Sequence, residues 1–254
     1  MEEKRYAVFL DLDRTLMCAD VIPQSNIDTI NRARQLGHYV FVNTARSYAY
    51  MPKHIQDCDF LDGFVVGIGT DLRFRGEQIF SHAVPAENSA AIVEHFIDDT
   101  REICLEGEDI VLWMHPKRPS AMGGIVVQSA DDFMEHYKEH KISKFYVGGA
   151  LTDEEKQWLE KDYLVFSHPN YTEFVSKGFG KGRGLERMMD YLGLPIENSI
   201  AMGDSVNDIH MLESAGISVA MGNAAPEIKA MCDYVSCDAK SGGVAKALHV
   251  LLHL

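Results

Sequence analysis

The stretch Tyr6-Ala7-Val8-Phe9-Leu10-Asp11-Leu12-Asp13-Arg14-Thr15-Leu16 decides the reading of this chain. Residues 6–10 form an apolar run, too short for a helix and carrying aromatic and β-branched side chains, which predicts a buried strand. The run stops at Asp11-Leu12-Asp13. Downstream, Ile27, Ile30, Ala33 and Leu36 mark one face of a helix, with Ser25 or Asn26 as its N-cap and Gly37 just past its end. A second strand at 39–42 follows at once and ends at Asn43-Thr44.

The same alternation returns near the carboxyl end. An amphipathic helix over 185–192, closed by Gly193, leads to a strand at 199–202 that ends at Gly203-Asp204. A helix at about 208–215 with Ile209, Met211 and Leu212 inward, a strand at 217–220, a helix started by Pro226 and a helical tail from Val244 complete it. Repeated β-α-β units predict an α/β fold with a Rossmann-like parallel-sheet core, whose ligand site lies beyond the carboxyl ends of the strands. Asp11, Thr44 and Asp204 all stand at such ends.

The middle has another texture. Short apolar runs at 110–114, 124–128, 144–147 and 163–166 alternate with acidic helical stretches at 86–101 and 131–141, which predicts an α+β domain inserted at 83–174 between core segments 1–82 and 175–254.

Composition narrows the chemistry. The 254 residues carry a formal net charge of −14 with no basic cluster, so neither a nucleic acid nor another polyanion is an expected partner. A small anion would bind only where a cation or backbone N–H groups reverse the local field, which makes a metal a natural expectation. The five cysteines show no CxxC pair and read as reduced thiols. No signal-peptide core precedes the first strand and no stretch approaches ~18 apolar residues, so a cytoplasmic protein without a membrane partner is expected.

Two carboxylates two residues apart at a strand end suit a division of labour: Asp11 attacks phosphorus and Asp13 protonates the leaving oxygen. A pair of turn aspartates is the competing reading. In Gly203-Asp204-Ser205-Val206-Asn207-Asp208, Asp204 suits a magnesium ligand and Asp208 its support, although Asp204 or Ser205 would equally serve as an N-cap. Thr44, the amides after it, and Lys181 in Gly180-Lys181-Gly182 are candidate phosphate holders; Lys181 alone also fits a solvated surface charge, with Lys177 nearby.

In this order the motifs closely resemble the haloacid dehalogenase superfamily of phosphatases, and within it the Cof-type, cap-bearing hydrolases that act on sugar phosphates and related metabolites. The resemblance rests on Asp11/Asp13, Thr44, Lys181, Asp204/Asp208 and the whole of 203–224. It implies a Mg2+-dependent phosphoric monoester hydrolase working through an aspartyl-phosphate on a small phosphorylated metabolite, and an inserted αβ cap that sets substrate specificity. It implies catalysis by Asp11 and Asp13, and a metal site of Asp11, Asp13 through its main-chain carbonyl, Asp204 and the associated Asp208. It assigns phosphate contacts to Thr44, Lys181 and Asn207, with the Ala45 N–H also available. Arg14 and Ala45 replace glycines usual in the family, and Ile68-Gly69-Thr70 stands where many relatives have Asn-Gly-Ala.

Two other readings use the same residues: a phosphotransferase or mutase that delivers the phosphoryl group to a sugar hydroxyl, and a catalytically weakened phosphate-binding regulator, which Arg14 would suit. The oligomeric state is expected to be monomer or homodimer. Trp113-Met114-His115-Pro116-Lys117-Arg118 either touches substrate or packs within the cap, and His136 and His140, at i and i+4, either offer two zinc ligands or lie on a solvated helix face.

Overall fold

Strand β1 (Ala7–Leu10) is buried along its whole length, which is why it reads as an unbroken apolar run instead of an alternating one. The structure, a computed structural model, describes residues 4–116 and 125–254. After β1 come α1 (Gln24–Gln35), β2 (Tyr39–Asn43), α2 (Lys53–Gln56), β3 (Gly63–Val66), β4 (Asp71–Phe74) and β5 (Glu77–Ser81). Next are α3 (Ala86–Phe96), β6 (Ile103–Gly107), β7 (Val111–Met114), β8 (Ile125–Val126), α4 (Ala130–His136), β9 (Ile142–Gly148), α5 (Asp153–Leu159), β10 (Tyr163–Ser167) and β11 (Tyr171–Ser176). The chain ends with α6 (Lys181–Leu192), β12 (Ser199–Gly203), α7 (Ile209–Ser214), β13 (Ile217–Ala220), α8 (Pro226–Met231), β14 (Tyr234–Val235) and α9 (Gly243–Leu252).

These elements form two compact units. The first takes the chain up to Ala45, then Asp57–Ile79 and Gly180–Leu254; the second takes Arg46–Gln56 and Phe80–Phe179. Segment Arg46–Gln56, counted with the core in the sequence, groups with the second unit because Ser47 N–H donates to Glu106 Oε2 at 3.0 Å and the Tyr50 ring meets Trp113 edge-on at 6.3 Å.

The first unit is built on a sheet of order β14-β13-β12-β1-β2-β3-β4-β5, parallel from β14 through β3 with β4 antiparallel. Registers Leu10↔Met202 and Leu10↔Val42 bring three strand ends level, so the loops after β1, β2 and β12 open side by side. The expected α/β fold with a parallel-sheet core is present.

Details of the helices differ from expectation. Helix α1 starts behind Pro23 with no side-chain cap; Asn26 is buried, and its Oδ1 accepts the Ala245 N–H at 3.0 Å, joining α1 to α9. Helix α6 begins four residues earlier than its apolar stripe, at Lys181, and ends at Gly193 in the left-handed conformation, φ 65°. Residues 206–208 form a 3₁₀ turn ahead of α7, and Ile209 is half-buried while Met211 and Leu212 are buried.

The second unit has a six-stranded sheet, β10-β11-β9-β6-β7-β8, with Leu105, Phe145 and Phe174 on a face that packs with Phe96, Phe133 and Leu159 of α3, α4 and α5 into a separate core. Strands β6 and β11 and helix α5 had no counterpart in the sequence reading. Helices α3 and α4 stop well short of 101 and 141. Register Glu106↔Lys144 places a buried ion pair within the sheet, Lys144 Nζ donating to Glu106 Oε1 at 2.8 Å, and Glu173 is the second carboxylate on that lysine.

Candidate active site

The chain leaves β1 in register, Asp11 N–H donating to Met202 O at 2.9 Å, and then folds back on itself. Leu16 N–H returns to Asp11 O at 3.1 Å and Met17 N–H to Leu12 O at 2.9 Å, closing a tight loop that presents Asp11 inward and Asp13 and Arg14 outward. Asp11 is buried while Asp13 and Arg14 are exposed. One apolar-to-acidic junction thus gives its two carboxylates different surroundings.

Helix α6 delivers Lys181 to this point. Its ammonium, fully buried, donates to Asp11 Oδ1 at 2.6 Å and to Asp208 Oδ1 at 2.7 Å, and its carbonyl accepts from Asn43 Nδ2 at 2.9 Å. The approach needs small residues: a Cβ on Gly184 would lie 2.4 Å from Val65 Cγ1 and 3.0 Å from Gly69 Cα. The surface-charge reading of Lys181 is therefore excluded, and Lys177 takes no part among the contacts of the cluster.

Asp208 is held as tightly. Its Oδ2 accepts the N–H groups of Asp204 and Ser205, both at 3.0 Å, and Ser205 and Asp208 form a capping box. Gly203 makes room, since a Cβ there would lie 2.6 Å from Asp208 Cγ. Both oxygens of Asp208 are engaged, so it fixes the 203–208 loop and Lys181 together. Asp204 points a buried carboxylate into the same space, its Oδ2 accepting from Asn223 Nδ2 at 3.2 Å and lying 3.4 Å from Arg14 Nε. The same Asn223 amide donates to Arg14 O at 2.9 Å. Asn43 and Asn223 were not singled out in the sequence; Asn223 sat inside the 203–224 stretch and Asn43 just before Thr44, but only their distant partners reveal what they do.

Electrostatics follow from this crowding. Burial, then the neighbouring Asp208, push the Asp11 carboxyl well above the usual carboxylate range, and Lys181 pulls it back only in part. Burial and Asp208 likewise push Asp204 up to about 6 against the opposing pull of Arg14 and Lys181. Burial works against the Lys181 ammonium, but Asp11 and Asp208 outweigh it and hold its proton more firmly than in an ordinary lysine.

Asp11, Asp204 and Asp208 place carboxylate oxygens within 4.8 Å of one another. An all-oxygen donor set of this kind fits a hard divalent cation such as Mg2+. Hydrogen bonds among the described residues reach Asp11 through Oδ1 and Asp204 through Oδ2, leaving Asp11 Oδ2 and Asp204 Oδ1 for a cation.

The remaining phosphate candidates also belong to the first unit. Thr44 is buried where its N–H meets Val65 O at 2.9 Å, Ala45 follows it half-buried, and half-buried Asn207 accepts from Ser205 Oγ at 2.7 Å. His136 and His140 do not converge: His140 Nδ1 lies 2.9 Å from Asp109 Oδ2 and His136 faces Asp132 at 3.8 Å. Trp113 and Met114 are buried, whereas Lys117 and Arg118 lie outside the described residues. The five cysteines are free, and no described helix is long and apolar enough to cross a membrane.

The family model described as haloacid dehalogenase-like hydrolase matches residues 8–248. The 5-amino-6-(5-phospho-D-ribitylamino)uracil phosphatase YitU of Bacillus subtilis (strain 168) is 28% identical over 285 residues, covering 98% of each chain. YcsE of the same strain, a phosphatase named for the same compound, is 27% identical over 251 residues, covering 95% of this chain and 93% of its own. The solved structure of the HAD subclass IIB sugar phosphatase BT4131 superposes with a TM-score of 0.84 at 24% identity, covering 98% of this chain and 100% of the other, so the two share a fold. Matched from its first strand to its last helix, and carrying a lysine-bridged aspartate cluster at its strand ends, this chain belongs to the haloacid dehalogenase-like hydrolase family.

Proposed function

We propose that this phosphatase of the family is Mg2+-dependent, acts in the cytoplasm on a small phosphorylated metabolite, most simply a sugar phosphate, and passes through an aspartyl-phosphate on Asp11. The observation that carries the reading is Lys181 Nζ, placed between Asp11 and Asp208 beside a third carboxylate, Asp204. Buried Lys144 also holds two carboxylates, Glu106 and Glu173, within its sheet; the Lys181 cluster differs by its third carboxylate at the strand ends and by the free oxygens on Asp11 and Asp204.

Asp11 attacks phosphorus in line, forming the Asp11–phosphorus bond as the bond to the leaving oxygen breaks. Asp13, exposed and so able to exchange protons with solvent, donates a proton to that oxygen. It then takes one from the water that attacks the aspartyl-phosphate, regenerating Asp11 and releasing inorganic phosphate. Lys181 steadies Asp11 and the phosphoryl oxygens, Thr44, the Ala45 N–H and Asn207 supply further donors, and Asp208 acts through Lys181 and the 204–205 amides. Mg2+, held by Asp11, Asp204 and the Asp13 main-chain carbonyl, would offset the repulsion between a carboxylate and a phosphate dianion. Since these residues address only the phosphate end, selection of the leaving group falls to the cap-like insertion at about 83–174, which lies within the second unit.

A phosphate-release screen with and without Mg2+ tests this, across sugar phosphates and 5-amino-6-(5-phospho-D-ribitylamino)uracil. Metal-dependent release by the wild type that disappears in Asp11→Asn is expected. Equal release by Asp11→Asn would remove Asp11 from the role, and transfer of phosphate to an added sugar in place of release would redirect the reading to a phosphotransferase.

A further inference from the structure

Arg14 occupies a left-handed backbone position, φ 64°, where a side chain is disfavoured and glycine is the ordinary choice. Its backbone is clamped there from both sides: Arg14 N–H donates to Met17 O at 2.7 Å, and Arg14 O accepts from Asn223 Nδ2 at 2.9 Å. That same Asn223 amide holds Asp204 Oδ2 at 3.2 Å. The clamp therefore fixes where the arginine starts relative to the carboxylate, and Arg14 Nε lies 3.4 Å from Asp204 Oδ2.

The two partners differ in exposure. The Arg14 side chain is 67% exposed and that of Asp204 only 2%. The guanidinium is therefore largely in contact with solvent, while the carboxylate it faces is enclosed. A count of charges shows why a cation is wanted. Lys181 is shared between Asp11 and Asp208 and acts on Asp204 less strongly than Arg14 does, so among the described residues Arg14 is the ion-pair partner of Asp204.

We propose that Arg14 is a built-in competitor of the metal: its guanidinium neutralises Asp204 in the metal-free site, and Mg2+ must overcome its positive charge to bind. The proposal rests on the reading of Asp204 as a metal ligand. It makes occupancy of the site, and with it turnover, respond to a higher range of Mg2+ concentration than the three carboxylates alone would set. A strained residue at the edge of a reacting site then has a use that glycine, comfortable at that φ, lacks.

Titration calorimetry of Mg2+ into EDTA-treated full-length protein tests this directly, with Arg14→Gly, Arg14→Gln and Asp204→Asn beside the wild type. Glycine suits φ 64°, so Arg14→Gly keeps the loop. Both arginine variants should bind Mg2+ about three- to tenfold more tightly at low ionic strength, and the gap should shrink as salt screens the guanidinium. Unchanged or weaker binding in both variants overturns the proposal, as does tightening in Arg14→Gly alone, which would trace the effect to backbone relief instead of charge. Loss of binding in Asp204→Asn with unaltered Arg14 variants rejects Arg14 alone. Wild-type binding in Asp204→Asn, or none in the wild type, overturns the metal reading and this proposal together.

Discussion

Lys181 Nζ lies 2.6 Å from Asp11 Oδ1 across 170 residues of sequence, and both groups are buried. Removing the cation leaves Asp11 and Asp208 facing each other without a countercharge. Lys181→Met is expected to lower unfolding free energy by roughly 3–5 kcal/mol, the usual cost of breaking a buried pair from one side, and to abolish turnover. Urea denaturation measures the first; stability equal to the wild type would show that the lysine is not the countercharge of the cluster.

Asp11 and Asp13 are neighbours with opposite surroundings, and their variants should separate accordingly. Asp13 is exposed, so Asp13→Asn should leave the melting temperature within a degree or two, while kcat falls about 10²–10⁴-fold, the range for losing a general acid–base group. A large drop in melting temperature for Asp13→Asn would mean that the residue holds the loop and that the activity loss is indirect.

The close approach of α6 to the sheet depends on the absence of side chains. Gly184→Ala puts a Cβ 2.4 Å from Val65 Cγ1, so overpacking should cost about 1–3 kcal/mol and displace the start of the helix, reducing kcat as Lys181 moves off Asp11. Gly203→Ala, with its Cβ 2.6 Å from Asp208 Cγ, should behave alike from the other side of the cluster. Wild-type stability and kcat in both variants would show that the loop can retreat freely.

The second unit carries its own pH dependence. Burial acts to raise the Glu173 carboxyl, but Lys144 and His168 outweigh it and hold it at about 2, against an ordinary value of 4.5. A depressed carboxylate stabilises the fold above its unfolded-state value, and that stability is lost as pH falls from about 4.5 towards 2, a total of about 3 kcal/mol. Both tryptophans, Trp113 and Trp158, belong to this unit, so fluorescence-detected urea melts report it selectively. The midpoint should drop between pH 5 and pH 3 in the wild type and drop less in Glu173→Gln; parallel curves would refute the assignment.

The parallel-sheet core and the carboxylates at its strand ends are legible in local sequence. Hydrophobic runs of strand length, a 3.6-residue stripe and abrupt acidic stops are local features, and they name Asp11, Asp13, Thr44 and Asp204 without reference to distant residues. Tertiary structure alone decided what those residues meet. Lys181 looked as much like a surface lysine as a ligand, because nothing in Gly180-Lys181-Gly182 records that α6 abuts Val65 and Gly69. Asn223 and Asn43 were silent for the same reason, their partners lying 209 and 138 positions away. Segment Arg46–Gln56 reads as core in the sequence, because its contacts with Glu106 and Trp113 leave no periodic trace. Periodicity records which side of an element is buried, whereas the pairing of buried charges depends on packing between elements far apart in the chain.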